Sequence, residues 1–168
     1  EVRGSSTVMG GWTYRYNKIS GFYNPALAEG GKKLYFSADF PKQSYGGKDI
    51  WCMERDGREG SIYDWKMPVN ASDSVERMNS QSREDYPFIV GDSAMYLMSD
   101  RPGGKGGMDI YVSYRRSMEF DVLDTATNET IKVKRNVWIK PENIGETYNT
   151  SANEYNFIGN KNLVMMMS

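Results

Sequence analysis

Apolar positions in this chain come in short runs, each bounded by residues that favour turns. Pro87-Phe88-Ile89-Val90 is one run, Gly91-Asp92-Ser93 supplies a tight turn, and Ala94-Met95-Tyr96-Leu97-Met98-Ser99 is the next run. Two runs joined by a Gly/Asp turn predict a β-hairpin. The segment Asp100-Arg101-Pro102-Gly103-Gly104-Lys105-Gly106-Gly107 then breaks regular structure. Proline fixes φ and removes a donor, and glycine admits left-handed φ values that other residues resist. Asp109-Ile110-Tyr111-Val112-Ser113-Tyr114 resumes a strand, and the stretch from Trp138 to Asn143 predicts a weaker fourth. No segment carries a convincing helical period, so the expected class is all-β.

The same order occurs earlier. Asn24-Pro25-Ala26-Leu27 precedes a turn at Gly30-Gly31, and Lys33–Ser37 forms the next strand. After a loop through Pro41 and Gly46-Gly47, a strand runs over Asp49–Met53, and Trp65–Asn70 closes the unit. In places the repeat is literal. Tyr35-Phe36-Ser37-Ala38-Asp39 returns 61 residues later as Tyr96-Leu97-Met98-Ser99-Asp100. Gly46-Gly47-Lys48-Asp49-Ile50-Trp51 returns 60 residues later as Gly106-Gly107-Met108-Asp109-Ile110-Tyr111. Trp65-Lys66-Met67-Pro68-Val69-Asn70 recurs as Trp138-Ile139-Lys140-Pro141-Glu142-Asn143.

Self-similarity at a fixed period means that each unit is one supersecondary module burying its apolar face against a neighbour. Four strands per unit is the content of a propeller blade. The expected fold is therefore a β-propeller with about two complete four-stranded blades, over residues 23–85 and 86–152. Partial blades stand at 1–22, where Gly10-Gly11-Trp12-Thr13-Tyr14 imitates the Gly-Gly phrase, and at 153–168. In the latter, Asn153-Glu154-Tyr155-Asn156-Phe157-Ile158 aligns with Glu84-Asp85-Tyr86-Pro87-Phe88-Ile89. Propellers close with roughly 4–8 blades, so the chain is expected to be incomplete as a folding unit, with Leu163–Ser168 an edge or paired with another chain.

One departure from the repeat stands out. From the strand aromatic to the closing Trp the first unit takes 14 residues and the second takes 27. The surplus falls near residues 116–136, where Met118, Phe120 and Val122 alternate with Glu119 and Asp121, and Ile131 and Val133 with Lys132 and Lys134. Turn chemistry over Asp124–Asn128 joins the arms, which predicts an inserted β-hairpin and a partner-facing element.

Composition removes several function classes. Net charge is −1 with dispersed basic residues, so nothing suggests a footprint for nucleic acid. The single cysteine, Cys52, aligns with Val112 and excludes an internal disulfide or a multi-Cys zinc site; it is expected to be a small buried hydrophobe. The chain has no His, which removes Ser-His-Asp and Cys-His nucleophile systems and the commonest general base. Acidic pairs such as Glu84-Asp85 are expected to be solvated surface or turn-capping groups. No catalytic, cofactor-binding or metal-ligating residue is assigned, and an enzyme is not expected. Leu163-Val164-Met165-Met166-Met167, the longest apolar stretch, is far too short for a spanning helix. With no initiator Met and no leader pattern, the chain is expected to be a mature exported protein or an excised piece of a longer one.

The repeated polar residues have structural expectations. Asp49 and Asp109 follow Gly-Gly at a strand start, where a carboxylate accepts N–H groups of the preceding turn. Asp39 and Asp100 end strands and are expected to cap the loops that follow. Trp65 and Trp138 are expected to be largely buried between adjacent blades. A calcium site is the functional alternative for the Asp residues, although no dense run of acidic ligands occurs. A phosphate cradle lacks its strand–loop–helix setting.

These phrases resemble the TolB-like, WD-type propeller repeats of bacterial cell-envelope proteins. The family unit reads approximately Leu-Tyr-Phe-Ser-Ser-Asp-Arg-Pro-Gly-Gly, Gly-Gly-x-Asp-Ile-Tyr, Trp-x-x-Pro-x-Asn-Leu-Gly, Asn-Thr and Asp-Glu-x-x-Pro-Phe-Ile. Residues 94–112 and 138–158 match nearly throughout, including Asn143-Ile144-Gly145 and Asn149-Thr150. The first unit matches more loosely, with Phe40-Pro41 for Arg-Pro and Met78-Asn79-Ser80 near Asn-Thr, and residues 1–22 match poorly. The resemblance implies a non-catalytic interaction scaffold in the periplasm or at the outer membrane. Such repeats accompany OmpA-like domains and secretion machinery, including type IX secretion. The implied partners are envelope proteins, with peptidoglycan reached through a neighbouring domain, and neither nucleic acid nor a direct membrane span. The alternative is a carbohydrate- or peptide-binding propeller attached to a hydrolase, with its ligand at the central channel. Three strings, Asp73-Ser74-Val75, Asp92-Ser93-Ala94 and Asp124-Thr125-Ala126, also fit an O-glycosylation acceptor pattern associated with Bacteroidetes.

Overall fold

A computed structural model of the chain describes residues 21–40, 43–55, 57, 65–72, 77–160 and 163–167. The Gly10–Tyr14 phrase, nearly all of the partial unit at 1–22, and Asp73-Ser74-Val75 lie outside the described residues. The described chain is all-β and antiparallel, and its helical content is a single 3-10 turn at Glu29–Gly31. The first sheet runs β1 (Tyr23–Ala28), β2 (Lys33–Ala38), β3 (Asp49–Glu54), β4 (Val69–Asn70) in that order. The second runs β5 (Glu84–Val90), β6 (Ala94–Ser99), β7 (Asp109–Asp124), with β8 (Glu129–Trp138) and β9 (Glu142–Asn143) both paired to β7. A third, two-stranded sheet joins β10 (Tyr155–Asn160) to β11 (Leu163–Met167). Among the described residues these sheets are open, and none closes on itself.

The repeat is written into the ladders. Trp51 faces Asn70 and Cys52 faces Val69, as Tyr111 faces Asn143 and Val112 faces Glu142. The isolated Arg55–Trp65 bridge corresponds to the Arg115–Trp138 pair. The fourth strand of the first unit is shorter than its sequence suggests, because Lys66 to Pro68 leave the ladder between that bridge and β4. Both opening strands carry a bulge at the same place: the register slips between Tyr23 and Ala26 and between Asp85 and Phe88. Asn24 and Tyr86, each just before a proline, take φ 51° there. Proline cannot donate to a ladder, so a bulge is where a sheet accommodates it.

Both faces of each sheet are covered, which explains why Tyr35–Ala38 is buried without alternation. Ala28, Tyr35, Ile50 and Cys52 meet Met95, Leu97, Tyr111 and Trp138 between the two sheets, with Met78 from the connection. Phe36, Ala38, Trp51 and Met53 lie on the opposite face of the first sheet with Phe40. Met98, Met108 and Ile110 lie on the outer face of the second, flanked by Tyr86, Phe88, Tyr96 and Ile144. Trp138 is 4% exposed, donates its indole N–H to the Tyr35 hydroxyl at 2.9 Å and meets that ring edge-on. Its counterpart Trp65 departs from expectation: it is only half-buried, on the rim of the Phe36 cluster.

Candidate interaction surface

The repeated polar residues form one bonding pattern used twice. Asp49 accepts the Tyr45 N–H at 2.7 Å and the Asn70 amide at 2.8 Å. Asp109 accepts the Lys105 and Gly106 N–H groups and the Asn143 amide. Asn79 holds both backbone groups of Ile50 at 2.8 Å and donates to Asn70; Asn149 does the same to Ile110 and Asn143. The glycine requirement follows from a close approach. A Cβ on Gly46 would collide with the Ser82 carbonyl oxygen, and one on Gly106 with that of Ala152. Asp49 and Asp109 thus cap the turns as expected. Asp100 does not cap the loop after it; its carboxylate accepts the Arg83 N–H at 2.7 Å, pinning the segment before β5.

Glu84 and Asp85 overturn the expectation of a solvated pair, since both are buried. Glu84 accepts the Ser80 N–H and hydroxyl, the Ser99 hydroxyl, and Arg101 Nη2 at 3.0 Å. Arg101 is 8% exposed, donates also to the Met78 carbonyl at 2.8 Å, and lies 5.0 Å over the Tyr111 ring. Asp85 accepts from Ser37 at 2.6 Å, Asn24 at 2.9 Å and Lys48 at 2.9 Å, joining the second sheet to the first. Burial opposes its charge, but the bonds from Ser37, Lys48 and Asn24 together hold its carboxyl below the usual range. Asp49 goes the other way: burial pushes it up to about 6 against the pull of Tyr45 and Asn70.

Hydrogen bonding also resets the third unit. Thr150 donates its N–H and hydroxyl to Glu154 as Ser80 does to Glu84, and Glu154 N–H donates to Met108 as Glu84 N–H does to Lys48. Glu154 therefore stands at the Glu84 position, one residue from the alignment drawn on the Tyr-x-Phe-Ile phrase. Ser80-x-x-x-Glu84 and Thr150-x-x-x-Glu154 carried that signal in the sequence.

None of this assembles reactive chemistry. Burial pushes the Cys52 thiol up to about 11, the state of an inert core thiol. Among the described residues no cluster of His, Cys, Asp and Glu is able to hold a metal ion, and no helix is long and apolar enough to cross a membrane.

The surplus residues form a ribbon. From Arg115–Trp138 to Asp124–Glu129 the strands β7 and β8 pair without interruption, a length of roughly 30 Å at strand spacing. Asp124 shapes its tip by accepting the Ala126 N–H at 2.9 Å, while Asn128 takes φ 57°. Cross-strand partners share a face. One face pairs Glu119 with Lys134 and Asp121 with Lys132, at 3.5 and 3.6 Å. The other carries Met118, Phe120 and Val122 opposite Arg135, Val133 and Ile131. Ile131 is 44% exposed and the rest are largely half-buried, because no further element lies on this face.

Sequence reasoning missed the arginines of this face. Arg116 lies 5.9 Å over the Tyr114 ring and Arg135 5.9 Å over Phe120, and neither has an ion-pair partner among the described residues. Both share the phase of the apolar residues, which was the available clue. At the ribbon's base Tyr114 is 40% and Tyr148 39% exposed. Burial raises the Tyr96 phenol, helped by the nearby Tyr114 and Tyr148 phenols. Ser93 and Thr125, from two of the glycosylation-like strings, lie in exposed turns, Thr125 at the ribbon tip. Against family models, curated proteins and solved structures the chain finds no match.

Proposed function

We propose that this chain is part of a β-propeller serving as a non-catalytic protein-interaction scaffold of the bacterial cell envelope, with the β7–β8 ribbon as its contact element. One observation carries the reading: the ribbon is surplus to the repeat. The first unit makes the equivalent closure with the single Arg55–Trp65 bridge and no hairpin. An isolated two-stranded ribbon is marginal in water, so one held out from its sheet with an apolar face gains by pairing with another surface. Tyrosine, phenylalanine and arginine are the residue types enriched at interface centres. Two uncompensated arginines beside Phe120 and Val133 suit a partner that presents apolar side chains flanked by carboxylates.

The repeated four-stranded sheets and their ordered phrases support the propeller reading. The resemblance to TolB-like repeats supports a periplasmic or outer-membrane setting, including assemblies of the type IX secretion kind. The test is capture from envelope extract with intact chain, Phe120→Asp and Arg135→Glu. The reading expects one set of proteins lost with both substitutions at an unchanged unfolding temperature. Retention of every partner by both variants contradicts it.

A further inference from the structure

The carboxylates at the starts of β5 and β10 share every contact but one. Glu84 holds a guanidinium; Glu154 does not. Glu154 is fully buried, and Thr150 donates its N–H at 3.0 Å and its hydroxyl at 2.6 Å to Oε1. The other oxygen, Oε2, is buried with no partner. An ionised carboxylate out of water without a counter-charge is costly, and a satisfied one requires donors for its remaining lone pairs.

The filled copy shows what fits. Glu84 pairs across the ladder with Ser99, and Arg101, two residues beyond Ser99, folds back so that Nη2 reaches Glu84 at 3.0 Å and Nε reaches the Ser99 hydroxyl at 3.1 Å. The same Nη2 donates to the carbonyl of Met78, the residue before Asn79; Tyr148 stands in that place before Asn149. Strand β11 meets β10 in the register of β6 on β5, Met167 opposite Tyr155 as Met98 is opposite Asp85. The next residue in sequence is Ser168, as Ser99 follows Met98.

We infer that the buried Glu154 carboxylate is a receptor for an arginine guanidinium, carried by a Ser-x-Arg-Pro segment of a further repeat and seated as Arg101 is on Glu84. A planar fork serves the carboxylate, a serine hydroxyl and a backbone carbonyl at once; a lysine ammonium lacks that geometry. The inference rests on the internal repeat and is independent of the ribbon.

Two arms test it. In the first, the full chain is titrated calorimetrically with the hexapeptide Ser-Asp-Arg-Pro-Gly-Gly, the sequence of residues 99–104. In the second, the chain is extended after Ser168 by Asp-Arg-Pro-Gly-Gly or by Asp-Met-Pro-Gly-Gly, and thermal unfolding is compared. The expected results are saturable binding weakened at least tenfold when the peptide arginine becomes lysine or citrulline, and a higher Tm for the arginine tail. Glu154→Gln is expected to remove either effect; if that variant fails to fold, the ligand-side substitutions decide on the unaltered chain. A response to peptide alone assigns the arginine to a separate chain, and a response to the tail alone assigns it to a contiguous segment. Absence of both responses, or responses indifferent to arginine, overturns the inference.

Discussion

At matching positions the two repeats fill one space with opposite chemistry. In the second, Glu84, Ser99 and Arg101 make a buried ionic clamp. In the first, the residues at those positions are Phe22, Ala38 and Phe40, with Phe22 5.1 Å from Phe36 and 6.0 Å from Phe40. Phe40 meets Trp51 edge-on at 4.3 Å, where Arg101 instead lies over Tyr111. The ladders around the two are superposable in register. The comparison teaches that the backbone frame, with its Asp-capped Gly-Gly turn and its Asn clamp, tolerates either filling. An apolar filling often matches or exceeds a buried ion pair in stability, whereas breaking such a pair leaves a stranded charge.

The sharpest way to break the comparison is to remove half the clamp. Arg101→Met is expected to cost about 3–5 kcal/mol in urea denaturation, because Glu84 stays buried without its partner. Phe40→Leu at the matching position is expected to cost under about 1.5 kcal/mol. Converting the clamp wholesale, with Glu84→Phe, Ser99→Ala and Arg101→Phe together, is expected to recover most of the Arg101→Met loss. Equal losses for Arg101→Met and Phe40→Leu would show that the two fillings are not alternatives.

Next in size is the tryptophan pair. Trp138→Ala is expected to cost about 3–5 kcal/mol through lost burial and the cavity left behind. Half-buried Trp65→Ala is expected to cost less, about 1–2 kcal/mol.

The two buried aspartates give a smaller contrast, read as stability against pH. Asp85 has a lowered folded pKa, so its contribution is present above its unfolded value of 3.8 and is lost as pH falls through the folded one. Asp49 is raised, so its contribution is full below 3.8 and is lost as pH rises through about 6. Asp85→Asn is expected to flatten the acid limb, and Asp49→Asn to remove a decline between those values. Urea midpoints across pH, taken relative to the unaltered chain, check both signs. Smallest of all, Phe120→Asp on the ribbon is expected to change stability by no more than about 0.5 kcal/mol.

Much of the frame was legible because its signals are local. Asp49 and Asp109 bond the turn just before them, and the ribbon arms announce their shared face by alternation. Glu84 and Asp85 were misread because their partners are distant in sequence: Arg101 lies 17 residues away and Ser37 48. A carboxylate's burial is decided by such contacts, and an acidic dipeptide does not advertise them. Trp65 and Trp138 share a phrase yet differ in burial, since one lies between two described sheets and the other on a rim. The arginines of the ribbon face were passed over because charge was read as solvation, although a guanidinium stacked on an aromatic ring belongs to the face it covers.

The central claim is that the repeat frame folds without the ribbon and that the ribbon makes the contact. It is tested most directly by replacing Ser117–Lys134 with a short Gly-Ser turn, then measuring thermal unfolding and envelope-protein capture on the same material. The account predicts cooperative unfolding within about 4 °C of the intact chain together with loss of the captured partners. Unfolded sheets, or a full set of partners retained, would contradict it.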